Sequence, residues 1–373
     1  MDRYSFWTVK SGTARAAARW LLAAIAIFII AAPASAQRKD DGTFQTSIPH
    51  AVLIEAESGS VLFEKGGDDL VYPASLAKLM TAEFIFNQLK QGNITLDDLV
   101  VVSENAWRKG GAPSHTSSMF APLNSQVKVS DILRGIIVQS GNDACIAIAE
   151  GLAGNETAFG IKLTERARQI GLTKSTFTNA TGLHNPGLKV TARELGKLAQ
   201  HIIKTYPEYY PIYNEREFTW NKIRQFNRNP LLAWGADGMK TGFTKEAGYG
   251  LVASSQQNGI RLIVVVMGAR GEKERAAEAR KLLEWGFRSF ESRVLFAEGQ
   301  TIGDAKVFGG EKGSVPLVGS TGTVRLMVPR NANERILAKV TYMGPIPAPV
   351  ERGRQVGSLK VWRNDTLALG VPL

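Results

Sequence analysis

The chain has 373 residues, of which 44% are hydrophobic and 21% charged, with a formal charge of +11. That composition excludes a disordered or fibrous chain and gives length for more than one core. The basic residues are scattered with no long Lys/Arg block, the single cysteine (Cys145) has no partner for an internal disulfide, and the four histidines are dispersed. No nucleic-acid partner, no metal and no cofactor are therefore expected.

The chain opens on Arg3, Lys10, Arg15 and Arg19, followed by the apolar run WLLAAIAIFIIAA (residues 20–32) and by Ala34 and Ala36 at small-residue cleavage positions. This is the pattern of an export signal spanning 1–36 and cut before Gln37. The run is shorter than the ~20 residues that a spanning helix needs. Cleavage takes away four basic side chains and Asp2, a net +3, so the mature chain carries +8. For an exported protein, anionic membrane surfaces and acidic wall polymers are nearer partners than nucleic acid. An ordinary solvated surface accounts for the charge equally well.

AVLIEA (51–56) and SVLFEK (60–65) flank a Glu-Ser-Gly turn and predict a hairpin. From Ser75 to Gln91, apolar residues recur at Leu76, Leu79, Met80, Phe84, Ile85 and Leu89, which is helical spacing. VSDILRGIIVQSGNDACIAIAEGLAG (129–154) predicts two helices broken at QSGN, and ETAFGIKLTERARQIGL (156–172) a helix stopped by glycine. TARELGKLAQHIIKTY (191–206) predicts another, with Thr191 as N-cap and Glu194 completing a capping box. GYGLVASSQQNGIRLIVVVMGA (248–269) reads as two strands around a QNG turn, and EKERAAEARKLLEWGFRSF (272–290) as a closing helix. After about Glu291 the helical period disappears, and short runs such as TVRLMVP, ILAKVTYM and SLKVWRN alternate with Gly and Pro turns. The expected division is a signal at 1–36, a main domain at 37–290 and a small all-β domain at 291–373.

Three short stretches carry the chemistry: SLAK (Ser75–Lys78), SGN (Ser140–Asn142) and KTG (Lys240–Gly242). Each alone is an ordinary helix start, turn or strand. In this order, with these spacings and local structures, they match the set found in serine β-lactamases and penicillin-binding proteins. Ser75 and Lys78 are three apart and share a helix face, so the amine can reach the hydroxyl. Ser75 lies at the positive end of that helix, where a backbone N–H can face a developing oxyanion. A lysine is a base only when neutral. Burial and a second cation lower its pKa, and Lys240 is the expected cation. Ser140 can relay a proton to a leaving amine, and Asn142 can bond both a lysine and a substrate amide. Lys240 and Gly242 face one side of a strand, where the missing side chain at 242 leaves room for substrate backbone along the edge.

With these motifs, the chain resembles the low-molecular-weight penicillin-binding proteins, the serine-type D-alanyl-D-alanine carboxypeptidases. The likeness extends over YPASLAKLMTA, LRGIIVQSGNDACIAIAEGLAG, FTNATGLHNPG, TARELGKLA, FNRNPLL and DGMKTGFTKEAGYGLVASS, covering about residues 45–290. It implies an α/β (α+β) fold: a β-lactamase/transpeptidase-like domain with a central antiparallel sheet flanked by helices, then a small all-β domain. It also implies that Ser75 forms an acyl-enzyme while the terminal D-alanine is trimmed from peptidoglycan pentapeptides, serving wall maturation and cell shape. β-Lactams would acylate the same serine. By resemblance, Arg228 helps hold the substrate carboxylate beside Lys240 and Thr241, and the Phe243 backbone N–H completes the oxyanion hole.

Three departures stand out. Phe243 follows KTG where many of these enzymes have histidine, Pro230 replaces a usual glycine, and nothing at LALGVPL has the moment of a membrane-docking helix. The expected location is exported and periplasmic, peripheral to the inner membrane if held there at all, with no clear C-terminal anchor. A β-lactamase is the nearest rival, but its deacylating glutamate has no well-placed counterpart, since Glu217 of EFTWN lies too near Lys240. A D,D-endopeptidase acting on crosslinks shares all three motifs. A silent wall-binding scaffold has no need of intact Ser75, Lys78, Ser140 and Lys240. Cys145 reads as a small core residue. The alternative reading is that a bulky thiol adduct there would displace the SGN turn.

Overall fold

The computed structural model describes residues 44–320, 322–330, 335–363 and 366–373, so the export-signal segment lies outside the described residues. These residues form two compact units, one of 44–295 with 325–330 and one of 296–324 with 335–373.

The larger unit begins with β1 (His50–Glu55) and β2 (Val61–Lys65), the expected hairpin. A 3-10 turn at Ala74–Ala77 leads into α1 (Lys78–Lys90). The ribbon of β3 (Leu99–Val101) and β4 (Gln126–Lys128) brackets α2 (Glu104–Gly110). α3 (Val129–Arg134) runs into a π turn at Gly135–Gln139, and α4 (Asn142–Ala153) starts after Ser140 and Gly141, so the break falls where the sequence predicts it. α5 (Glu156–Gln169) and α6 (Ala192–Thr205) follow, then the ribbon of β5 (Glu217–Trp220) and β6 (Ile223–Phe226). β7 (Ala236–Thr244), β8 (Gly248–Gln257) and β9 (Ile260–Ala269) precede α7 (Glu272–Ser289). The short ribbons and α2 carry no sequence expectation, because three to seven residues are too few for a period to show.

β1, β2, β7, β8 and β9 form one antiparallel sheet in the order β2-β1-β9-β8-β7, with β7 at an edge. The β8–β9 turn places Asn258 and Gly259 at φ 50° and 78°, the left-handed pair that matches strand twist in a two-residue hairpin. The central strands are buried on both faces, and their period of two sorts the side chains into two cores. Val52, Ile54, Ile263 and Val265 face the cluster built by α1 and α3–α6. Leu53, Leu262, Val264 and Leu251 face Ala279, Leu282 and Leu283 of α7.

At α6 the Thr191 hydroxyl accepts from the Glu194 N–H at 3.1 Å, as expected of the N-cap. The capping box stays half-formed. Glu194 turns away and accepts from Lys174 N, Ser175 N and Ser175 Oγ at 2.9, 2.7 and 2.6 Å. A buried carboxylate takes the larger number of donors, and here the neighbouring loop offers more than the cap does.

β10 (Phe290–Phe296) closes the 44–295 run. The smaller unit is all β. β11 (Gly303–Phe308) pairs antiparallel with β12 (Ser314–Leu317). β13 (Val324–Pro329) pairs with β10, and Met327 joins the α7-side core, so this piece of the tail groups with the larger unit from Arg325 onward. β14 (Ile336–Tyr342) pairs antiparallel with one later strand, and β15 (Ile346–Pro347) runs parallel to β11. β16 (Gly357–Arg363) and β17 (Thr366–Pro372) complete the β14-β16-β17 sheet. Among the described residues, no helix is long and apolar enough to cross a membrane.

Candidate active site

Ser75 sits inside the 3-10 turn, one residue after Ala74, whose φ of 48° is left-handed for a residue bearing a Cβ. Such backbone costs of order 1 kcal/mol and persists where its surroundings fix it. The Ser75 hydroxyl makes no helix-capping bond. It accepts instead from Lys78 Nζ at 2.9 Å. Lys78 is 1% exposed, and its Nζ also donates to Asn142 Oδ1 at 2.7 Å and to the Thr181 carbonyl at 2.6 Å.

This geometry suits a neutral amine. Both the amide oxygen and the carbonyl are acceptors only, so they take the two N–H groups of an uncharged lysine. The lone pair then points at the Ser75 hydroxyl, which becomes the donor. Burial is the main force lowering the Lys78 pKa, and the charge of Arg228 adds to it. Lys240 is the cation expected beside it from the sequence. It is itself buried, and burial together with the charge of Lys78 pushes its pKa well below the usual lysine value.

Two further elements hold this wall. Asn142, the first residue of α4, donates from Nδ2 to Thr116 Oγ1 at 3.0 Å. The buried Asp143 beside it accepts from Ser118 Oγ, Met119 N, Ala121 N and Ala144 N at 2.7–3.1 Å, tying the 118–121 loop to the helix. Thr181 belongs to a turn organised by Asn179, whose Oδ1 accepts from Thr181 N, Thr181 Oγ1 and Gly182 N. Gly182, at φ 79°, packs so closely on the Ser75 turn that a Cβ there would lie 2.0 Å from the Ala74 carbonyl.

The other wall is β7. Lys240 is 3% exposed and donates to the Thr241 carbonyl at 3.1 Å. A Cβ on Gly242 would meet Pro73 O, Ser75 N and Leu76 N at 3.1 Å. The absent side chain thus lets β7 approach the serine turn, a reason different from the expected room for substrate backbone. Phe243 is half exposed and stacks on Tyr249, with centroids 4.1 Å apart at 26°. Arg228 NH1 donates to Ser117 Oγ at 2.7 Å.

A cavity of about 670 Å3 opens between the walls. Ser75, Ser140, Arg228, Thr241, Gly242 and Phe243 all line it, while Lys78, Asn142 and Lys240 lie buried. Ser140 takes the left-handed conformation, φ 67°, that ends the π turn. All nine residues singled out from the sequence thus gather in one place. The sequence reading missed Arg275 of α7, which lines the same cavity, is 6% exposed and leaves Nε without a hydrogen-bond partner among the described residues. It also missed the Thr181 carbonyl.

The sequence pattern of the D-alanyl-D-alanine carboxypeptidase family matches residues 35–271. This chain belongs to that family. Residues 290–373 match the pattern of the penicillin-binding protein 5 C-terminal domain. The D-alanyl-D-alanine carboxypeptidase DacC of Escherichia coli is 42% identical over 315 residues, 83% of this chain and 78% of that protein. The carboxypeptidase DacA of Haemophilus influenzae is 41% identical, over 83% of this chain and 79% of its own length. Crystal structures of penicillin-binding protein 5 from Haemophilus influenzae superpose with a TM-score of 0.78 at 37% identity, covering 88% of this chain and 96% of theirs. As a member of this serine-peptidase family the chain is an enzyme. Its antiparallel sheet with flanking helices, followed by β-rich structure, is the fold that the resemblance implied.

Proposed function

We propose that the chain is a serine-type D-Ala-D-Ala carboxypeptidase of peptidoglycan stem peptides, with Ser75 as nucleophile and Lys78 as its base. The observation carrying this reading is the 2.9 Å contact of Ser75 Oγ with a buried lysine whose two other contacts are acceptors. Neutral Lys78 takes the Ser75 proton as Oγ attacks the carbonyl carbon of the penultimate D-alanine. The oxyanion faces the backbone N–H groups of Ser75 and Phe243. The amide bond breaks, Ser140 passes a proton to the leaving amine, and D-alanine departs. Water then cleaves the acyl-enzyme ester. Asn142 holds Lys78 and meets the acyl-side amide. Substrate backbone adds along the open edge of β7, and its terminal carboxylate meets Thr241, Lys240 and Arg228.

β-Lactams would acylate Ser75 in the same way and remain there as covalent inhibitors. Rival outcomes of the chemistry are separated by the products: crosslink cleavage marks an endopeptidase, and fast release of hydrolysed penicillin marks a β-lactamase. We read residues 1–36 as an export signal, 37–290 as the peptidase domain and 291–373 as a β-rich domain, with action in the periplasm where peptidoglycan lies. The test is incubation with muropeptides followed by mass spectrometry. Loss of one alanine from pentapeptides is expected, and absence of that loss overturns the proposal.

A further inference from the structure

The cavity over Ser75 is larger than its simplest substrate requires. At roughly 30 Å3 for each water-sized group, the about eleven heavy atoms of a D-alanyl-D-alanine end fill on the order of half of it. Ser75 and Ser140 come from elements on one face of the sheet. Glu272, Lys273, Arg275 and Ala276, which complete the lining, come from the first turns of α7 on the opposite face. The cavity therefore reaches from Ser75 past β7 to α7, and the stacked Phe243 and Tyr249 line it together with the first turns of α7, which form its outer part.

That outer part is charged in one direction. Across the whole lining Arg228, Lys273 and Arg275 stand against Glu272 alone, a surplus of two positive charges to which α7 supplies Lys273 and Arg275. Glu272 acts electrostatically on both guanidiniums, yet it forms no ion pair with either among the described residues. Arg275 is 6% exposed with Nε unbonded, its guanidinium 5.7 Å from the Tyr249 ring centroid. A buried guanidinium lacking an anion is unfavourable, so the geometry calls for negative charge on the incoming molecule. The single carboxylate of a departing D-alanine still leaves one positive charge uncompensated.

We infer that the outer part of the cavity is a leaving-residue subsite that accepts D-amino acids larger than D-alanine and favours an acidic side chain, with Lys273 at its rim reading that charge. This rests on Ser75 being the nucleophile. The bond chemistry is unchanged: the amide to the leaving residue breaks, the ester to Ser75 forms, the amine departs protonated, and water later releases the acyl group. Only the identity of the departing residue differs.

The experiment measures kcat/KM for one acyl-D-Ala–D-X series with X as D-Ala, D-Gln, D-Glu and D-Lys, following release of X. D-Gln is expected within about fivefold of D-Ala, and D-Glu about tenfold above D-Lys, the scale of partly screened charge contacts. Lys273→Glu should reverse the order of D-Glu and D-Lys. A D-Gln substrate slower than D-Ala by about a hundredfold or more, beyond what partial screening accounts for, would show that no room exists for a longer side chain. Equal rates for D-Glu and D-Lys, or a D-Glu to D-Lys ratio untouched by Lys273→Glu, overturn the charge preference. Failure on D-Ala–D-Ala itself would instead overturn the underlying carboxypeptidase reading, and the subsite with it.

Discussion

On the helical wall of the cleft, Lys78 Nζ meets three oxygens at 2.6–2.9 Å, and Asp143 takes four donors. On the other side of the cleft, formed by β7 and by α7 beyond it, Lys240 has one backbone acceptor at 3.1 Å and Arg275 leaves Nε unbonded. The first wall is complete without a ligand and fixes the reacting groups in place. The second is electropositive and under-bonded, so a ligand supplies what it lacks. Changes to the helical wall should therefore act on the chemical step, and changes to the sheet wall on binding.

The largest effect is expected at Ser75. Ser75→Ala should abolish covalent labelling by a fluorescent penicillin while unfolding measurements stay within about 1 kcal/mol of the parent, since only one hydrogen bond is removed. A covalent adduct on that variant would refute the assignment.

Lys78→Arg comes next. Arginine stays charged, so acylation should fall by about 10²–10⁴-fold, the usual worth of a general base, with KM less affected. In the parent, the lowered Lys78 pKa makes the neutral base available below the usual lysine range. Acylation should rise with pH through that lowered pKa and level off above it, and a flat profile over the same range would count against Lys78 as the base.

Arg275→Ala should act on the other wall. Removing one member of a desolvated charge contact commonly costs about 2–5 kcal/mol of binding, or roughly 30-fold and upward in kcat/KM. Most of the loss is expected in KM, and an equal fall in kcat with KM unchanged would break the division between the walls.

The smallest effect is expected at Cys145, which the sequence left between two readings. It is fully buried, and burial raises its thiol pKa to about 12. The folded protein should take up almost no thiol reagent, and Cys145→Ser should keep its activity. Rapid modification of the native enzyme would return the adduct reading to consideration.

Seven of the nine candidate residues were legible because they stand inside motifs whose spacing reports their local structure, whereas Arg228 and Phe243 were reached only through the family resemblance. Thr181 was not, because its contribution is a backbone carbonyl, and any residue at 181 supplies one. Arg275 was hidden differently. It lies in EKERAAEARKLLEW, where one arginine among many charges reads as a solvated helix face, and only the packing of α7 on the sheet turns it toward the cavity. Glu194 shows the limit of local rules, since its capping-box position was right and a nearby loop captured its carboxylate. The hairpins and long helices were readable from their periods, whereas the return of β13 from the tail to pair with β10 depends on contacts that no local pattern encodes.

The edge position of β7 has one more consequence. An unpaired strand edge is a template, and proteins ordinarily blunt such edges with charge, proline or cover, because a second copy can pair there as readily as a ligand. Under the proposed function the β7 edge has to stay open for the substrate backbone near Lys240–Thr244. The serine turn packs closely against the same strand at Gly242. The strand that would take the substrate is thus also the one a second copy could pair with, so a bound substrate would at the same time guard the chain against self-association.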